Sequence, residues 1–564
     1  MSDDDVMAEL DLRRGGWCSQ DRDPVPDSMI GWGGTLVQNS PCRAGPLPVE
    51  PPSVSTEEPG LKSMRHAARF ARPIAILAAV VMALFCWAVS SPPGSSPDDD
   101  YHMASIWCGS AAAMELCAET GAPEERVLPA DVLDAASCFA FDPNAAASCA
   151  LDDEGTRVST RGNWNGEAYP PVYYAVTHLL ASDDLSVSVV VIRAVNVLIY
   201  VGSLAAVFFL IPRGARSALI WGALITSVPL GTFIIASLNP SSWAVTSAST
   251  LWVAVWGFHS QRGVRKILLA VLTVVLVILG AGARGDSAAY AVLALIAGSV
   301  LAFRRDRRYL LELLLPVGLI AASAALFLSA GQSAVVGGAT VVENETYTFT
   351  ELLFINVKQL PQLLVGFLGT WGLGWLDTYM PGIVWVVTMT VFSGVVFWGL
   401  GRGDWRKWLA LAGVGAGVIA VPLYILMHDG VVVGNGVQPR YVFPLIIMFA
   451  GIAVFARGRA SLGLNRLQLT VVAISLAVAN SVALHVNLRR YVTGLDAVGI
   501  NLDRDVEWWW NAPISPMGLW VLGSTAFAMV IGLLMTLAWP RHARIAAVAS
   551  DRESSLAREV EAEA

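Results

Sequence analysis

The sequence predicts an all-α polytopic membrane protein of about twelve transmembrane helices, with a large outer loop after the first helix. Of its 564 residues, 55% are hydrophobic and only 15% are charged, whereas soluble domains average about 25% charged residues. Apolar runs of about twenty residues recur along the chain, which is the length that crosses a bilayer. Arginines cluster in the short loops after alternate runs, and such loops face the cytoplasm in membrane proteins.

Twelve apolar runs define the predicted bundle. They lie near 73–90, 186–211, 217–236, 242–258, 267–283, 287–303, 309–329, 382–400, 408–427, 441–456, 467–486 and 517–539. If each run crosses once, every short loop assigned to the cytoplasm is basic, as at 304–308. We therefore expect a plasma-membrane protein with both termini in the cytoplasm. The bundle would span 65–545, between a disordered tail over 1–64 and a charged tail over 546–564.

Three segments between the runs are too long for simple turns, and this topology places all three outside. They are 91–185, 330–381 and 487–516. The first contains four cysteines: Cys108, Cys117, Cys138 and Cys149. An even number of cysteines in one outer loop predicts two disulfides, of which the local pairing joins the first to the second and the third to the fourth. Four reduced thiols are the alternative.

Carboxylates directly follow the first apolar run, at Asp98, Asp99 and Asp100, with His102 close behind. Adjacent carboxylates repel one another, so at least one should have a raised pKa. A raised pKa suits a general base that removes a proton from a hydroxyl group. Asp98, Asp99 and His102 could also hold a divalent cation as a cofactor. The alternative is a solvated acidic cap without a chemical role.

The segment that contains these carboxylates also resembles a sequence element of a known membrane-protein family. Pro97, Asp98, Asp99 and His102 resemble the Pro-Asp-Glu-x-x-His element of the membrane family called domain of unknown function 2142. Further elements of that family match in the same order, at 169–174, 193–196, 237–240, 374–378 and 438–441. Together they cover roughly 75–540. This chain departs from the pattern in two places, because the family's Glu is Asp99 here and its later acidic residue is Ser241 or Ser242.

The arrangement also resembles the GT-C glycosyltransferases, in which an acidic residue of the first outer loop is the catalytic base and the donor is a polyprenyl-phosphate-linked sugar. This resemblance implies that Asp98 or Asp99 is catalytic and that the acceptor is an envelope glycan, lipid or protein. The leaving phosphate needs cations, and arginine can grip it with two parallel hydrogen bonds. The candidates are Arg284, Arg440, Arg489 and Arg490. A structural ion pair or an interface anchor is the alternative for each.

Other residues are expected to support the site. Arg193 lies inside an apolar run with Asn196 one helical turn later. Charges at that depth usually face a bundle interior, so Arg193 is expected to pair with an outer-loop carboxylate, with phosphate contact as the second interpretation. Further supporting candidates are Tyr169, Asn239, Asp377 and Trp509. The tryptophan could stack on a sugar ring or anchor the chain at the interface.

Several function classes find no basis in the sequence. There is no basic face for nucleic acid, and no Walker loop or HExxH motif for nucleotide-driven transport or zinc proteolysis. The expected partners are the lipid bilayer, the lipid-linked donor and the envelope acceptor. Two rivals to a transferase remain: a transporter or flippase of lipid-linked sugars, and a non-catalytic protein of envelope assembly.

Overall fold

The computed structural model describes residues 59–109, 116–150, 155–164, 168–329, 347–458 and 461–538. The predicted charged tail and nearly all of the predicted N-terminal tail lie outside these residues. The helices are α1 (Pro59–Ala88), α2 (Asp99–Trp107), α3 (Ala130–Asp134), α4 (Val172–His178), α5 (Leu185–Leu210), α6 (Arg213–Ile225), α7 (Thr232–Ile235), α8 (Ser241–Ser260), α9 (Gly263–Ala281), α10 (Gly285–Ala302), α11 (Arg307–Glu312), α12 (Leu314–Ser329), α13 (Phe349–Val365), α14 (Gly382–Leu400), α15 (Trp405–His428), α16 (Pro439–Val454), α17 (Arg466–Val492) and α18 (Pro516–Ala538). The strands are β1 (Ala118–Glu119), β2 (Arg126–Pro129) and β3 (Thr156–Ser159).

A helix forms at each of the twelve predicted runs, but fewer of them qualify as membrane spans. In the described part of the chain, nine helices are long and apolar enough to cross a bilayer, or ten if the bent pair α6–α7 counts as one span. Helix α8 is long enough but rich in Ser and Thr, and α16 has only 16 residues. The prediction of a polytopic helical membrane protein is therefore confirmed, and the number twelve is not.

Helix α8 lies at the centre of the bundle, packed against α5, α9, α10 and α16. Its hydroxyl groups are buried without penalty because they donate to carbonyls one turn earlier, as Thr246 does to Ser242 at 2.9 Å and Thr250 to Thr246 at 2.6 Å. Such local hydrogen bonds satisfy hydroxyls inside a membrane bundle. The helix is rich in hydroxyl-bearing residues and nevertheless interior by packing.

The chain breaks sharply between α6 and α7. The two helical segments meet at 88°, and Val228 has extended backbone angles within the break. The Thr226 hydroxyl donates to the Gly222 carbonyl at 2.8 Å, and Thr232 does the same to Pro229 at 2.8 Å. Irregular backbone at membrane depth is tolerated only where protein or a cavity surrounds it, and 228–231 are buried.

One end of the bundle, here called the loop face, gathers the long connections between helices. It comprises the described parts of 89–184, 282–286, 366–381, 430–440 and 493–515. A small antiparallel sheet with strand order β1-β2-β3 lies within it. The Trp375 indole donates to the Gly94 carbonyl at 2.8 Å, and Trp510 donates to Val89 at 2.7 Å. The turn after α1 is thus covered by much later parts of the chain.

A disulfide cross-links the first part of the loop face. Cys108 and Cys117 are bonded, which confirms the first of the two predicted local pairs. Cys138 also takes part in a disulfide, but the side chain of Cys149 lies outside the described residues, so that pairing stays a prediction.

The other end, here called the basic end, carries the short arginine-rich loops. Glu312 is buried there and accepts hydrogen bonds from Arg304 at 2.8 Å, from Arg308 at 3.0 Å and from Lys266. One acid is therefore shared by three cations. Which end faces the cytoplasm stays a prediction from the positive charge.

Candidate functional site

The three adjacent aspartates point in three directions. Asp98 precedes α2 with a left-handed backbone, φ 59°, a conformation that Asp tolerates better than most residues. The Ser96 amide donates to Asp99 at 2.8 Å and turns that side chain inward. Asp100 instead faces Arg161, whose Nε lies 2.5 Å from its carboxylate. The turn therefore separates charges that are neighbours in sequence.

Asp98 forms an ion pair with Arg440 across the loop face. The Arg440 Nη2 donates to the Asp98 carboxylate and also to the Tyr441 hydroxyl at 2.8 Å. The Arg440 side chain is 2% exposed and that of Asp98 30%. Burial opposes ionisation of Asp98, but the charge of Arg440, supported by Arg161 and Arg284, lowers its pKa. Asp98 is thus an ionised carboxylate with access to solvent.

The Arg440 guanidinium is only partly used by this pair. Its Nε and Nη1 are buried and have no hydrogen-bond partner among the described residues. Arg440 lines a narrow cleft with a volume of about 20 Å³, together with Pro97, Leu230, Trp371, Gly374 and Gln438. The Gln438 Oε1 is also buried without a partner in the described chain. Buried donors left unpaired in this way are expensive, so they mark a place for an anionic or polar ligand.

A second guanidinium lies close by. Arg284 is held by Asp286 through two hydrogen bonds of 2.9 and 2.8 Å, and it approaches the Ser241 hydroxyl at 3.3 Å. The Tyr441 ring lies between the two cations, with its centroid 5.0 Å from Arg284 and 4.8 Å from Arg440. Ser241 is one of the two serines at the place where the sequence pattern predicts an acidic residue, and its hydroxyl faces a cation already neutralised by Asp286.

Asp99 has a different environment from Asp98. It is fully buried, and burial raises its pKa to about 7 against the opposing charge of Arg193 and the hydrogen bonds from Ser96. Its Oδ1 has no hydrogen-bond partner among the described residues. Burial likewise raises the pKa of Asp100. The predicted raised pKa is therefore present in Asp99 and Asp100 but not in Asp98, and burial rather than mutual repulsion is its main cause.

Arg193 clamps the turn that leads into these aspartates. Its guanidinium donates to the carbonyls of Ala88 at 2.9 Å, Ser91 at 2.6 Å and Pro92 at 2.7 Å, and to the Ser95 hydroxyl at 3.0 Å. It supports Asp99 by charge rather than through a direct hydrogen bond. A cation at the carboxyl end of a helix is favourable because it meets unpaired carbonyls.

His102 lies beneath Asp98 in an aromatic cluster. It is buried, with Nδ1 2.9 Å from the Tyr174 hydroxyl and its ring 5.4 Å from that of Tyr169. Burial lowers the pKa of His102 to about 3, so the ring is neutral. Among the described residues, no three His, Cys, Asp or Glu side chains are grouped to hold a metal ion. The predicted cation site at Asp98, Asp99 and His102 therefore rests on sequence alone.

Two asparagines fix the backbone under the site. Asn239 donates to the Pro97 carbonyl at 2.8 Å, next to Asp98. Asn196 donates to the Ser237 carbonyl and accepts from the Trp243 indole, both at 2.9 Å. Both side chains are fully buried, so their role is to position the loops.

Four other predicted residues hold the loop face together elsewhere. Arg490 donates to Asp377 at 2.7 Å and to the carbonyls of Phe139 and Ala145, both at 2.6 Å. The remaining contacts join Arg489 to Gly499 and Asn501, and Trp509 to Ile514. The structure thus brings Arg284 and Arg440 to Asp98, and it engages Arg489, Arg490 and Asp377 in structural bonds.

Sequence reasoning missed three contributors to this site. Tyr441 and Gln438 flank Arg440 in the Gln-x-Arg-Tyr element, and this adjacency was an available signal. Asp286 follows Arg284 by two residues, but only the structure shows that it neutralises that arginine.

A family model described as a predicted membrane protein (DUF2142) matches residues 81–449, which is well over half of the chain. The match begins within α1, contains the aspartates and Arg284, and ends within α16 after Arg440. No curated protein and no solved structure matches the chain. The chain therefore belongs to the DUF2142 family of predicted membrane proteins.

Proposed function

We propose that this protein is a membrane glycosyltransferase that moves a sugar from a polyprenyl-phosphate donor to a hydroxyl group of an envelope acceptor. One observation carries the proposal. An ionised, partly exposed carboxylate, Asp98, lies beside a buried guanidinium, Arg440, which lines a narrow cleft and has two nitrogens without a hydrogen-bond partner among the described residues. A base and a phosphate-binding group in contact are what this transfer needs.

In the proposed step, the acceptor oxygen attacks the anomeric carbon of the donor sugar. A bond forms between these two atoms as the bond from the anomeric carbon to the phosphate oxygen breaks. The acceptor proton passes to the Asp98 carboxylate, and polyprenyl phosphate leaves with the bonding electrons. Arg440, supported by Arg284, stabilises the negative charge that develops on that phosphate.

Asp98 is the better base of the two predicted candidates. Its side chain is 30% exposed, whereas Asp99 is fully buried beneath the turn. Proton transfer requires a group within hydrogen-bond reach of the substrate hydroxyl. We therefore assign Asp98 to the acceptor and Asp99 to the support of the loop that presents it.

One observation favours a transporter of lipid-linked sugars as the second candidate. The break between α6 and α7 places Leu230 on the same cleft as Arg440. Discontinuous helices beside a cleft are typical of secondary transporters. A transporter would move the donor lipid intact, without breaking its sugar–phosphate bond.

The test uses purified full-length protein in liposomes with a short-chain polyprenyl-phosphate sugar and candidate envelope acceptors. Release of polyprenyl phosphate is followed by mass spectrometry for the wild type, Asp98→Asn, Arg440→Lys and the control Asp404→Asn, which removes a carboxylate at the basic end. We expect Asp98→Asn to lose at least about a hundred-fold in turnover because the general base is removed, and Arg440→Lys to lose about a hundred-fold because the guanidinium contacts to the leaving phosphate are lost. The control should keep wild-type turnover.

Two results would overturn the proposal. Asp98→Asn protein that turns over at the wild-type rate removes the base assignment. Movement of intact donor between leaflets without phosphate release, by wild type that is folded and inserted, supports the transporter instead.

A further inference from the structure

A second cavity lies at the basic end, away from the candidate site. It has a volume of about 360 Å³ and lies between α10, α12 and α15. Its walls include Ile296, Phe303, Val317 and Leu409. The Tyr309 hydroxyl that borders it already donates to a backbone carbonyl at 2.8 Å. The cavity is thus apolar and needs no polar ligand inside it.

The rim of this cavity is strongly basic. The loop after Phe303 carries four arginines, of which Arg304 and Arg308 are paired with Glu312. Arg305 and Arg307 are exposed, and neither forms an ion pair with any described residue. Trp405, which lines the cavity, is 55% exposed, as is usual for tryptophan at a membrane interface.

These features together restrict the occupant. An acyl chain gains little by leaving other lipid tails for an apolar protein groove, because both surroundings are equally apolar. Preference for one lipid must therefore come from its headgroup. The only charges that the rim offers without a partner among the described residues are positive, so they favour a negative headgroup.

We propose that this groove binds an anionic phospholipid, with one acyl chain against α10, α12 and α15 and the headgroup phosphate between Arg305 and Arg307. Arginine is suited to this contact because its planar fork grips phosphate oxygens. The glutamate-bound pair Arg304 and Arg308 keeps the loop in place. Arg305 and Arg307 bind the headgroup phosphate and thereby select an anionic lipid.

The test measures binding of phosphatidylglycerol and phosphatidylcholine to the purified full chain by native mass spectrometry. The variant Arg305→Gln/Arg307→Gln is compared with Arg262→Gln/Arg265→Gln, which removes two exposed arginines at the start of α9, at the same end of the bundle. We expect phosphatidylglycerol to bind the first variant roughly ten- to thirty-fold more weakly, from the loss of two surface arginines. The second variant should bind as the wild type does.

A second pair of variants tests the groove independently. Val317→Trp fills the cavity, whereas Val271→Trp adds the same bulk to another lipid-facing helix, and both valines are 57% exposed. Only Val317→Trp should weaken binding of phosphatidylglycerol. Equal binding of both lipids, equal losses in both arginine variants, or unchanged binding in Val317→Trp overturns the proposal. A tail of the chain found cross-linked into the groove would also overturn it.

Discussion

The buried pair Asp377–Arg490 allows a sharp test of which family elements are structural. Asp377 lies in the Gly-Trp-Leu-Asp-Thr element, and both side chains of the pair are at most 3% exposed. The Asp377 carboxylate also accepts the Phe141 amide at 3.2 Å and the Thr378 hydroxyl at 3.1 Å. The change Asp377→Asn keeps the size of the side chain but removes its charge.

The expected cost follows from the burial of Arg490. Removing one partner of a buried ion pair costs about 3 to 5 kcal/mol, because the other charge stays buried without compensation. Arg490 keeps two carbonyl acceptors, at Phe139 and Ala145, and these dipoles offset part of the loss. We therefore expect Asp377→Asn to lower the free energy of unfolding by about 3 kcal/mol, at the lower end of that range.

The measurement is equilibrium unfolding in mixed micelles, followed by tryptophan fluorescence. The control is Asp505→Asn, whose side chain is 81% exposed and whose left-handed backbone suits Asn as well as Asp. It should change stability by less than about 0.5 kcal/mol. The double variant Asp377→Leu/Arg490→Met, which replaces both charges, should be more stable than Asp377→Asn.

The reasoning fails if Asp377→Asn is no less stable than Asp505→Asn. It also fails if the double variant is less stable than Asp377→Asn, because the stranded charge would then not be the source of the cost.

Three further predictions concern the turn before the candidate site and its disulfide. Arg193→Lys should lower the free energy of unfolding by about 3 kcal/mol in the same assay, because one ammonium cannot reach four acceptors; a cost below about 1 kcal/mol would contradict the clamp. Asp99 has a raised pKa of about 7, so its stabilising proton is fully held below about pH 4 and lost as the pH rises through 7. The wild type should therefore lose stability over that window relative to Asp99→Asn, and parallel pH profiles would contradict this. The variant Cys108→Ser/Cys117→Ser should lower the free energy of unfolding by about 2 to 3 kcal/mol, as measured by melting without reductant; melting identical to that of the wild type would show that the bond is dispensable.

Charge and hydropathy were sufficient to predict the helical bundle, because both patterns are local in sequence. The number of spans was not predictable in the same way. Helix α8 is buried on every side and α16 is short. The neighbours of such a helix and its depth in the bundle cannot be derived from its own sequence alone.

The candidate site was predicted in its parts but not in its assembly. Asp98 and Arg440 are separated by 342 positions, and no local pattern joins them. Arg489 and Arg490 lie in the last turn of α17 and Arg440 in the first turn of α16, yet the guanidinium groups of Arg489 and Arg490 turn toward backbone carbonyls and Asp377. Adjacent residues such as Asp98 and Asp99 also differ in exposure because a single left-handed residue redirects the chain.

The turn after α1 has a consequence for how the protein is made. The Val89 carbonyl accepts a hydrogen bond from Trp510 and the Ser90 side chain accepts one from Asn487, and both donors are synthesised about four hundred residues later. During synthesis, Arg193 can hold this turn early, but the contacts from Asn487 and Trp510 form only after α17 and the loop beyond it have been synthesised. A chain truncated before α17 could still insert most of its helices into the bilayer. It would lack the contacts of Asn487 and Trp510 with the turn that precedes the aspartates. The candidate site therefore acquires its last structural contacts only when nearly the whole chain has been synthesised.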